Sequence, residues 1–374
     1  MQPFIPISLP PDNLDWGKLV PFISKAMNAV GEYNGLLNSM VNPNVLLSPI
    51  THREAILSSR IEGTIASYEE ILRHEAGQVY NDKKEDDIRE IINYRKALIT
   101  AEKHLTSKPI SLHLVRELHA ILMDNVRGSD KTPGSFRTTQ NHIGAVGSRI
   151  EHARFIPPDP LIMNASLDAW HTFIQADFLE PLVQLAIMHA QFEIIHPFGD
   201  GNGRIGRMLI PLFLYYKSVL QKPVFYLSEY LEKHDEEYRD RLLATTQHGD
   251  WQGWVEFFLK GIHIQANSNS HKARKILELY QSLKEQFVYA TKSQFSLAAL
   301  DAFFTRPICS GTAFQTMSKI KPENARNILK NLQKKDLITV LKEGAGRRST
   351  IYALPELLHI AEGKQIILNK RKKA

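Results

Sequence analysis

The stretch from Phe192 to Leu214 constrains this 374-residue chain more than any other. An apolar run with Leu182, Leu185, Ile187, Met188 and Phe192 at helical spacing, opened by Pro181, predicts an amphipathic helix that reaches His196. Pro197 stops it, because proline pushes its predecessor out of the α region. A second helical run starts at Ile205 and continues through Met208, Leu209, Leu212 and Phe213. Between the two lie Gly199, Gly201 and Gly203. A glycine-rich turn that enters a helix aims several N–H groups and the positive end of the helix dipole at one point, which makes an anion site. Asp200 in such a place requires a cation, and Mg²⁺ shared between Asp200 and phosphate oxygens meets that need. Arg204 and Arg207 can present two guanidinium forks to the same phosphate chain. His196 is then the neutral-pH base beside a bound polyphosphate. Two other phosphate or metal loops are excluded by spacing. The Gly-Lys-Ser/Thr of a Walker loop is absent, and Ile205 and Pro211 stand where an EF-hand starting at Asp200 needs glycine and glutamate.

Helical spacing dominates elsewhere, as at Leu114, Leu118, Ile121 and Leu122 and from Ile88 to Leu98. Val224 to Leu259 predicts two helices split near Gly249-Asp250. Phe136 to Phe155, with Gly144, Gly147 and alternating Ile143, Ala145 and Arg149, predicts an extended hairpin ending at the Pro157-Pro158 turn. After a small, polar linker expected at Ala266 to Ser270, the texture changes. Helices are predicted at Leu297 to Phe304, Ser310 to Met317 (capped by Ser310) and Pro322 to Lys335. Strands at Leu337 to Val340 and Thr350 to Leu354, joined through Gly344 and Gly346, complete the pattern of a winged helix. The expected division is an N-terminal helical region (1–105), a catalytic core (106–262) and a winged-helix domain with a basic tail (263–374).

The net charge of +6 hides an asymmetry. From Gly261 onward there are 20 Lys/Arg against 8 Asp/Glu, a balance of +12, which leaves −6 for the rest. The C-terminal part is therefore matched to an acidic partner, or its charge is a solvated tail ending in Lys370-Arg371-Lys372-Lys373. Lys321, Arg326, Lys330, Lys334 and Lys335 around the third helix, and Arg347 and Arg348 on the wing, fit a DNA-reading helix; a protein-recruiting role is the alternative. The single cysteine, Cys309, excludes an intrachain disulfide and fits a reducing cytoplasm. The N-terminus lacks a basic region followed by an apolar run, and apolar stretches are broken well before the roughly 18 residues of a membrane span, so a cytoplasmic protein is expected.

His196-Pro197-Phe198-Gly199-Asp200-Gly201-Asn202-Gly203-Arg204-Ile205-Gly206-Arg207 resembles the signature of Fic-family enzymes, His-x-Phe-x-Asp/Glu-Gly-Asn-Gly-Arg-x-x-Arg, at every fixed position. The likeness runs from about residue 4 to Lys260. It implies a mainly α fold: a Fic-type helical core with a β-hairpin flap, here followed by the winged helix. The implied activity is protein adenylyltransfer, in which AMP passes from ATP to Ser, Thr or Tyr hydroxyls of a target protein and of the enzyme itself. His196 would deprotonate the hydroxyl, and Asp200 would hold Mg²⁺, for which Mn²⁺ can substitute. Gly201, Asn202 and Gly203 would bind the α-phosphate, Arg204 and Arg207 the β- and γ-phosphates, with Gly206 among the phosphate-binding positions. Asn141, His142, Ile143 and Gly144 on the flap would dock the target, and Tyr238 and Gln247 would close over the nucleoside.

Upstream, Ser58-Ser59-Arg60-Ile61-Glu62-Gly63 resembles the family's inhibitory helix, Ser/Thr-x-x-x-Glu-Gly/Asn, with Ser58 and Glu62 in the fixed positions. The resemblance implies that Glu62 pairs with Arg207 and holds the enzyme back. Removal of AMP by the same site, other Fic chemistries such as phosphate or phosphocholine transfer, and a nucleotide-sensing DNA-binding regulator are the competing readings. A homodimer is compatible with all of them.

Overall fold

The structure is a computed structural model that describes residues 2–40, 42–128, 130–144, 147, 149–346 and 348–362. Arg347 and the Lys370–Lys373 run lie outside the described residues. The helices begin at α1 (Trp16–Ser39), α2 (Pro43–Leu46), α3 (Ser48–Ile61) and α4 (Tyr68–Glu75). Ser67 and Glu70 close α4 with a reciprocal capping box. There follow α5 (Asp82–Leu105), α6 (Leu112–Leu122) capped by Ser111, and α7 (Pro160–Gln175), which Asp159 and Pro160 start together. The pair α8 (Pro181–Ile195) and α9 (Asn202–Tyr216) flanks the glycine turn. The interval expected to hold two helices holds α10 (Ser228–Lys233), α11 (Asp235–Gln247) and the first turns of α12 (Trp251–Thr291). The C-terminal elements are α13 (Ser296–Thr305), β1 (Ile308–Ser310), α14 (Gly311–Ser318), α15 (Pro322–Lys334), β2 (Thr339–Lys342), β3 (Ile351–Ala353) and α16 (Pro355–Glu362).

Two compact units result. The first gathers Met1–Gly35, Leu57–Thr64 and Arg89–Ser268. Its centre is α8, which is buried on nearly every side rather than amphipathic. A helix that is apolar all round belongs inside a core, and the polar side chains on it must then find partners. Gln184 donates to the carbonyls of Phe173 and Ala176, and His189 pairs with the Gly206 carbonyl and the Tyr238 hydroxyl. Trp170 and Trp254, from neighbouring helices, donate to the carbonyls of Met188 and Ala186 on α8. α8 packs against α7 and α9. At Gly206 the approach to α9 is close, since a Cβ there would lie 2.2 Å from Glu193 Oε1. The expected hairpin at 140–155 is reduced, among the described residues, to one antiparallel bridge between Ile143 and Phe155 and a short 3-10 turn at Ile150–His152. Residues 145, 146 and 148, and so Ala145 of the expected hairpin, lie outside the described residues.

The second unit gathers Leu36–Ile56, Ile65–Ile88 and Asn269–Ala374. Within it, α13, α14 and α15 accompany an antiparallel sheet of order β1-β3-β2, whose first strand lies between α13 and α14 in the chain and which has a bulge between Val340 and Lys342. Ser310 caps α14 by accepting from the Ala313 N–H. Strand β1 has no counterpart in the sequence reading. α2 packs on α13 and α4 on β1. The linker expected at Ala266 to Ser270 is instead continuous helix, part of the 41 residues of α12, with Asn269 and Ser270 buried. Small polar residues serve turns and buried helix faces alike, so composition does not distinguish them.

Candidate active site

His196 ends α8 in the left-handed region (φ 49°, ψ 60°), a conformation that costs an L-residue roughly 1–2 kcal/mol. Its Nδ1 lies 3.2 Å from the Glu193 carbonyl. A carbonyl only accepts, so Nδ1 carries the hydrogen and Nε2 presents a lone pair. Burial pushes the imidazole down to about 4, which keeps it neutral at physiological pH, with the Nε2 lone pair free of a proton.

The turn beyond it is tied to itself. Asn202 spends its side chain on the Phe198 peptide, accepting from its N–H and donating to its carbonyl, both at 2.8 Å. The Asn202 side chain therefore does not reach toward an anion; it shapes the turn. Phe198 stacks on His119 at 3.8 Å. His119 Nδ1 accepts from the Gly134 N–H, so its Nε2–H donates to the Asp200 carbonyl. Burial pushes His119 down to about 4, which suits that neutral form. Gly201 has φ 77°, a left-handed turn position, and its N–H donates to Asp200 Oδ1 at 2.6 Å.

The two motif arginines part company. Arg207 is buried and clamped by the upstream segment: Nε donates to Ser58 Oγ at 3.0 Å, and Nη2 to the Ser58 carbonyl at 2.8 Å and to Glu62 Oε1 at 2.6 Å. Burial opposes ionisation of Glu62, but Arg207, with Arg204 and Arg239 adding to it, holds the carboxyl below its ordinary range. Gly203 makes room for this contact, since a Cβ there would stand 2.3 Å from Glu62 Oε1. Arg204 turns the other way. Its Nη1 meets Glu90, a carboxylate 1% exposed, at 3.2 Å, and its Nη2 meets Asp200 Oδ1 at 3.3 Å. Thr64 donates to the same Glu90 oxygen at 2.5 Å.

One cavity of about 370 Å³ collects His196, Gly203, Arg207, Glu62, Ile143, Gly144 and Tyr238 among its lining residues. Several expected positions are not on its wall. Arg204 is drawn behind the loop by Glu90. Gly206 lies in the α8–α9 contact, its carbonyl accepting from His189 Nδ1. Gln247 is exposed at the end of α11. Asp200, Gly201 and Asn202 form the turn beside the cavity, Ser58 backs Arg207, and Asn141 donates to the carbonyls of His196 and Phe198. His142, half-buried, is likewise absent from the wall. Tyr238 gives its hydroxyl hydrogen to His189 Nε2 at 2.9 Å, leaving its ring as cavity wall.

The sequence reading missed Glu193, Arg239, Arg154, His152, Leu242, Leu243 and Thr246, which also line the cavity. Glu193 was findable: it precedes His196 by three residues and so shares its helical face. Burial pushes the Glu193 carboxyl up to about 7, with Arg207 opposing. Leu242, Leu243 and Thr246 follow Tyr238 at one and two turns, the apolar side of α11.

Residues 20–103 match the family profile described as Fic/DOC family N-terminal, and residues 109–214 match the profile described as Fic/DOC family. A Drosophila grimshawi protein named protein adenylyltransferase Fic is 28% identical over 204 residues, covering 54% of this chain and 40% of that protein. A Caenorhabditis elegans protein named protein adenylyltransferase fic-1 is 30% identical over 146 residues, covering 37% of this chain and 27% of the relative. The chain thus spans two-fifths or less of the length of these relatives. Among solved structures, a Fic family protein from Desulfovibrio desulfuricans G20 aligns over 95% of this chain and 98% of its own, with a TM-score of 0.58 and 18% identity. Fic-1 (residues 134–508) from C. elegans aligns over 71% of this chain and 74% of its own, with a TM-score of 0.52 and 20% identity. Both likenesses are of fold.

Proposed function

This chain belongs to the Fic/DOC family, and from that membership and the contents of its cavity we propose that it transfers AMP from ATP to a Ser, Thr or Tyr hydroxyl of a target protein, and of itself. The observation that carries the proposal is the shared cavity, in which a neutral His196, the Gly203 end of the α9 N-terminus and Arg207 face one space. The hydroxyl oxygen attacks the α-phosphorus while His196 Nε2 takes its proton. The bond from the α-phosphorus to the bridging oxygen breaks, and pyrophosphate leaves with the electron pair. The N–H groups opening α9 receive the α-phosphate oxygens, and Arg207 receives the terminal phosphate once it is free of Glu62. Catalysis then rests on positioning and on charge stabilisation.

Asp200 suits a hard cation. Its side chain keeps 35% of its surface exposed, and Oδ1 is held by Gly201 and Arg204. Oδ2 faces Gly128, where a Cβ would intrude to 2.7 Å, so the glycine keeps that oxygen open. Mg²⁺, or Mn²⁺ in its place, would neutralise charge between the α- and β-phosphates there. Among the described residues no group of three or more His, Cys, Asp and Glu is placed to hold a metal ion, and a cation bound by one carboxylate plus substrate phosphates needs none.

Glu62 is the restraint in this reading. With it on Arg207, ATP binds with its α-phosphate misaligned, and misplacement of a reacting centre costs about 10²-fold. A second reading rests on the same contact: because Glu62 and His196 line one cavity, Glu62 can position water for removal of AMP from a modified protein. The C-terminal helices and sheet, with strand order β1-β3-β2, support a winged helix that meets DNA or a protein partner. Among the described residues no helix is long and apolar enough to cross a membrane.

The test is label transfer from α-³²P-ATP and γ-³²P-ATP to wild type, Glu62→Gly, and Glu62→Gly combined with His196→Ala. Only the α-label should enter protein, more strongly in Glu62→Gly than in wild type. The added His196→Ala change should lower the rate by about 10²–10⁴-fold, the usual cost of losing a general base. Transfer of the γ-label would mean phosphate transfer, and full labelling in the double variant would remove His196 as the base.

A further inference from the structure

We propose that Arg137 is a positioning residue for this reaction: it fixes the backbone of His196 and couples it to the loop that carries Ile143 and Gly144. The inference rests on the reading of His196 as the base.

Arg137 is 6% exposed, a depth at which an arginine normally faces a carboxylate. Its hydrogen bonds among the described residues go to main-chain carbonyls instead. Nε donates to the His196 carbonyl at 2.9 Å, and Nη2 to Pro158 at 2.5 Å and Ile195 at 3.4 Å. Nη1 donates to Thr139 at 3.1 Å. The Arg137 N–H adds a fifth contact, to the Pro197 carbonyl at 2.9 Å. Burial lowers the guanidinium to about 10, with Asp159 opposing, so it is still a cation at physiological pH.

Each carbonyl has a structural meaning. Ile195 is the last residue of α8, and its oxygen is one of the orphan acceptors at a helix end, where a cation also meets the negative end of the dipole. His196 is the left-handed residue itself, and Pro197 follows it. Thr139 opens the segment that reaches the Ile143–Phe155 bridge, and Pro158 closes the return. A single planar fork therefore ties the base to both roots of the loop on the cavity wall. Asn141 adds a second donor to the His196 carbonyl at 3.4 Å. A left-handed residue persists only where its surroundings over-determine it, and these donors do so. Lysine cannot replace the fork, because one ammonium group cannot reach four carbonyls spread around a plane.

The experiment measures self-modification from α-³²P-ATP at varied ATP in the Glu62→Gly chain, alone and with Arg137→Lys, and binding of ATP by calorimetry to the same proteins. Because removing a buried fork can unfold the chain, Asn141→Ala in the same background serves as the milder variant. The maximal rate should fall about 10²-fold for Arg137→Lys and less for Asn141→Ala, with KM for ATP and the calorimetric affinity changed by less than about twofold. That split marks a base out of aim in an intact nucleotide site. An unchanged maximal rate in both variants would overturn the proposal, and so would a loss of ATP affinity as large as the loss of rate. If the Glu62→Gly chain with its native Arg137 takes up no α-label, the fault lies with the adenylyltransfer reading rather than with Arg137.

Discussion

Glu193 and His196 face one cavity from the same turn of α8, and burial acts on them in opposite senses. It pushes the imidazole down to about 4 and the carboxyl up to about 7, so both are neutral near pH 6. For the folding equilibrium the signs differ. The unfolded chain holds a proton on the histidine up to its ordinary value of 6.5, so between that value and 4 the native state loses stability as pH falls. The carboxyl holds its proton more firmly in the native state than its ordinary 4.5 allows, so its contribution is present at low pH and is lost as pH rises through 7. Glu193→Gln should therefore gain stability relative to wild type as pH is raised from 4.5 to 7 and show no further gain above it, as read by urea midpoints across that range. A constant difference would mean that Glu193 is ionised throughout. For catalysis, a base already neutral at pH 5 predicts no drop in the self-modification rate of Glu62→Gly between pH 7 and 5.5 from His196 itself.

At the scale of elements, the turn between α8 and α9 was legible because its chemistry is local. A helix stop at Pro197, a left-handed Gly201 and a helix start at Asn202 are each specified within a few residues. Glu62 was legible only through its resemblance to the family's inhibitory motif; the four-residue spacing from Ser58 fits the contact that both residues make with Arg207 but does not announce it. What surrounds the turn was not. Glu90 and Arg204 are 114 positions apart, and the Arg137 side chain reaches carbonyls up to 59 positions away, so no pattern in the chain announces either. Backbone acceptors have no sequence signature at all. The linker failed differently: small polar stretches are shared by turns and buried helix faces. The Glu90–Arg204 pair carries a stability prediction. Both side chains are at most 3% exposed, and breaking a buried pair from one side typically costs 3–5 kcal/mol because the remaining charge is uncompensated. Asp200 still faces Arg204 at 3.3 Å in such a variant, so Glu90→Ala should cost up to about that much in denaturant unfolding, and Glu90→Gln, which keeps an acceptor for Thr64, clearly less. Equal, small losses would show the pair to be no brace for the loop.

Over the whole molecule, the basic surface of α15 asks for a partner, and the fold decides how to look for one. Removing everything after Gly261 is the direct test that the sequence suggests, but it cuts α12 in mid-helix. It also strips α13 from α2 and β1 from α4 inside the second unit, which draws on Leu36–Ile56 and Ile65–Ile88 as well as on the C-terminal residues. Apolar faces on those N-terminal helices would be left open, so an inactive truncated chain would say nothing about DNA. Charge reversal on the intact chain avoids this. Lys321, Arg326, Lys330, Lys334 and Lys335 are all exposed, while Ala325, Ile328, Leu329 and Leu332 take the buried face of α15. Arg326→Glu with Lys330→Glu therefore changes the surface and leaves the core face alone. If α15 lies on duplex DNA, wild type should bind with an affinity that falls steeply with salt. The double variant should bind less tightly, with a salt slope lower by about 0.9 for each phosphate it no longer neutralises. Its self-modification rate should match that of its parent. Wild-type chain that shows no salt-dependent DNA binding would leave a protein partner or a solvated basic surface, and capture of a target by wild type but not by the double variant would single out the protein partner.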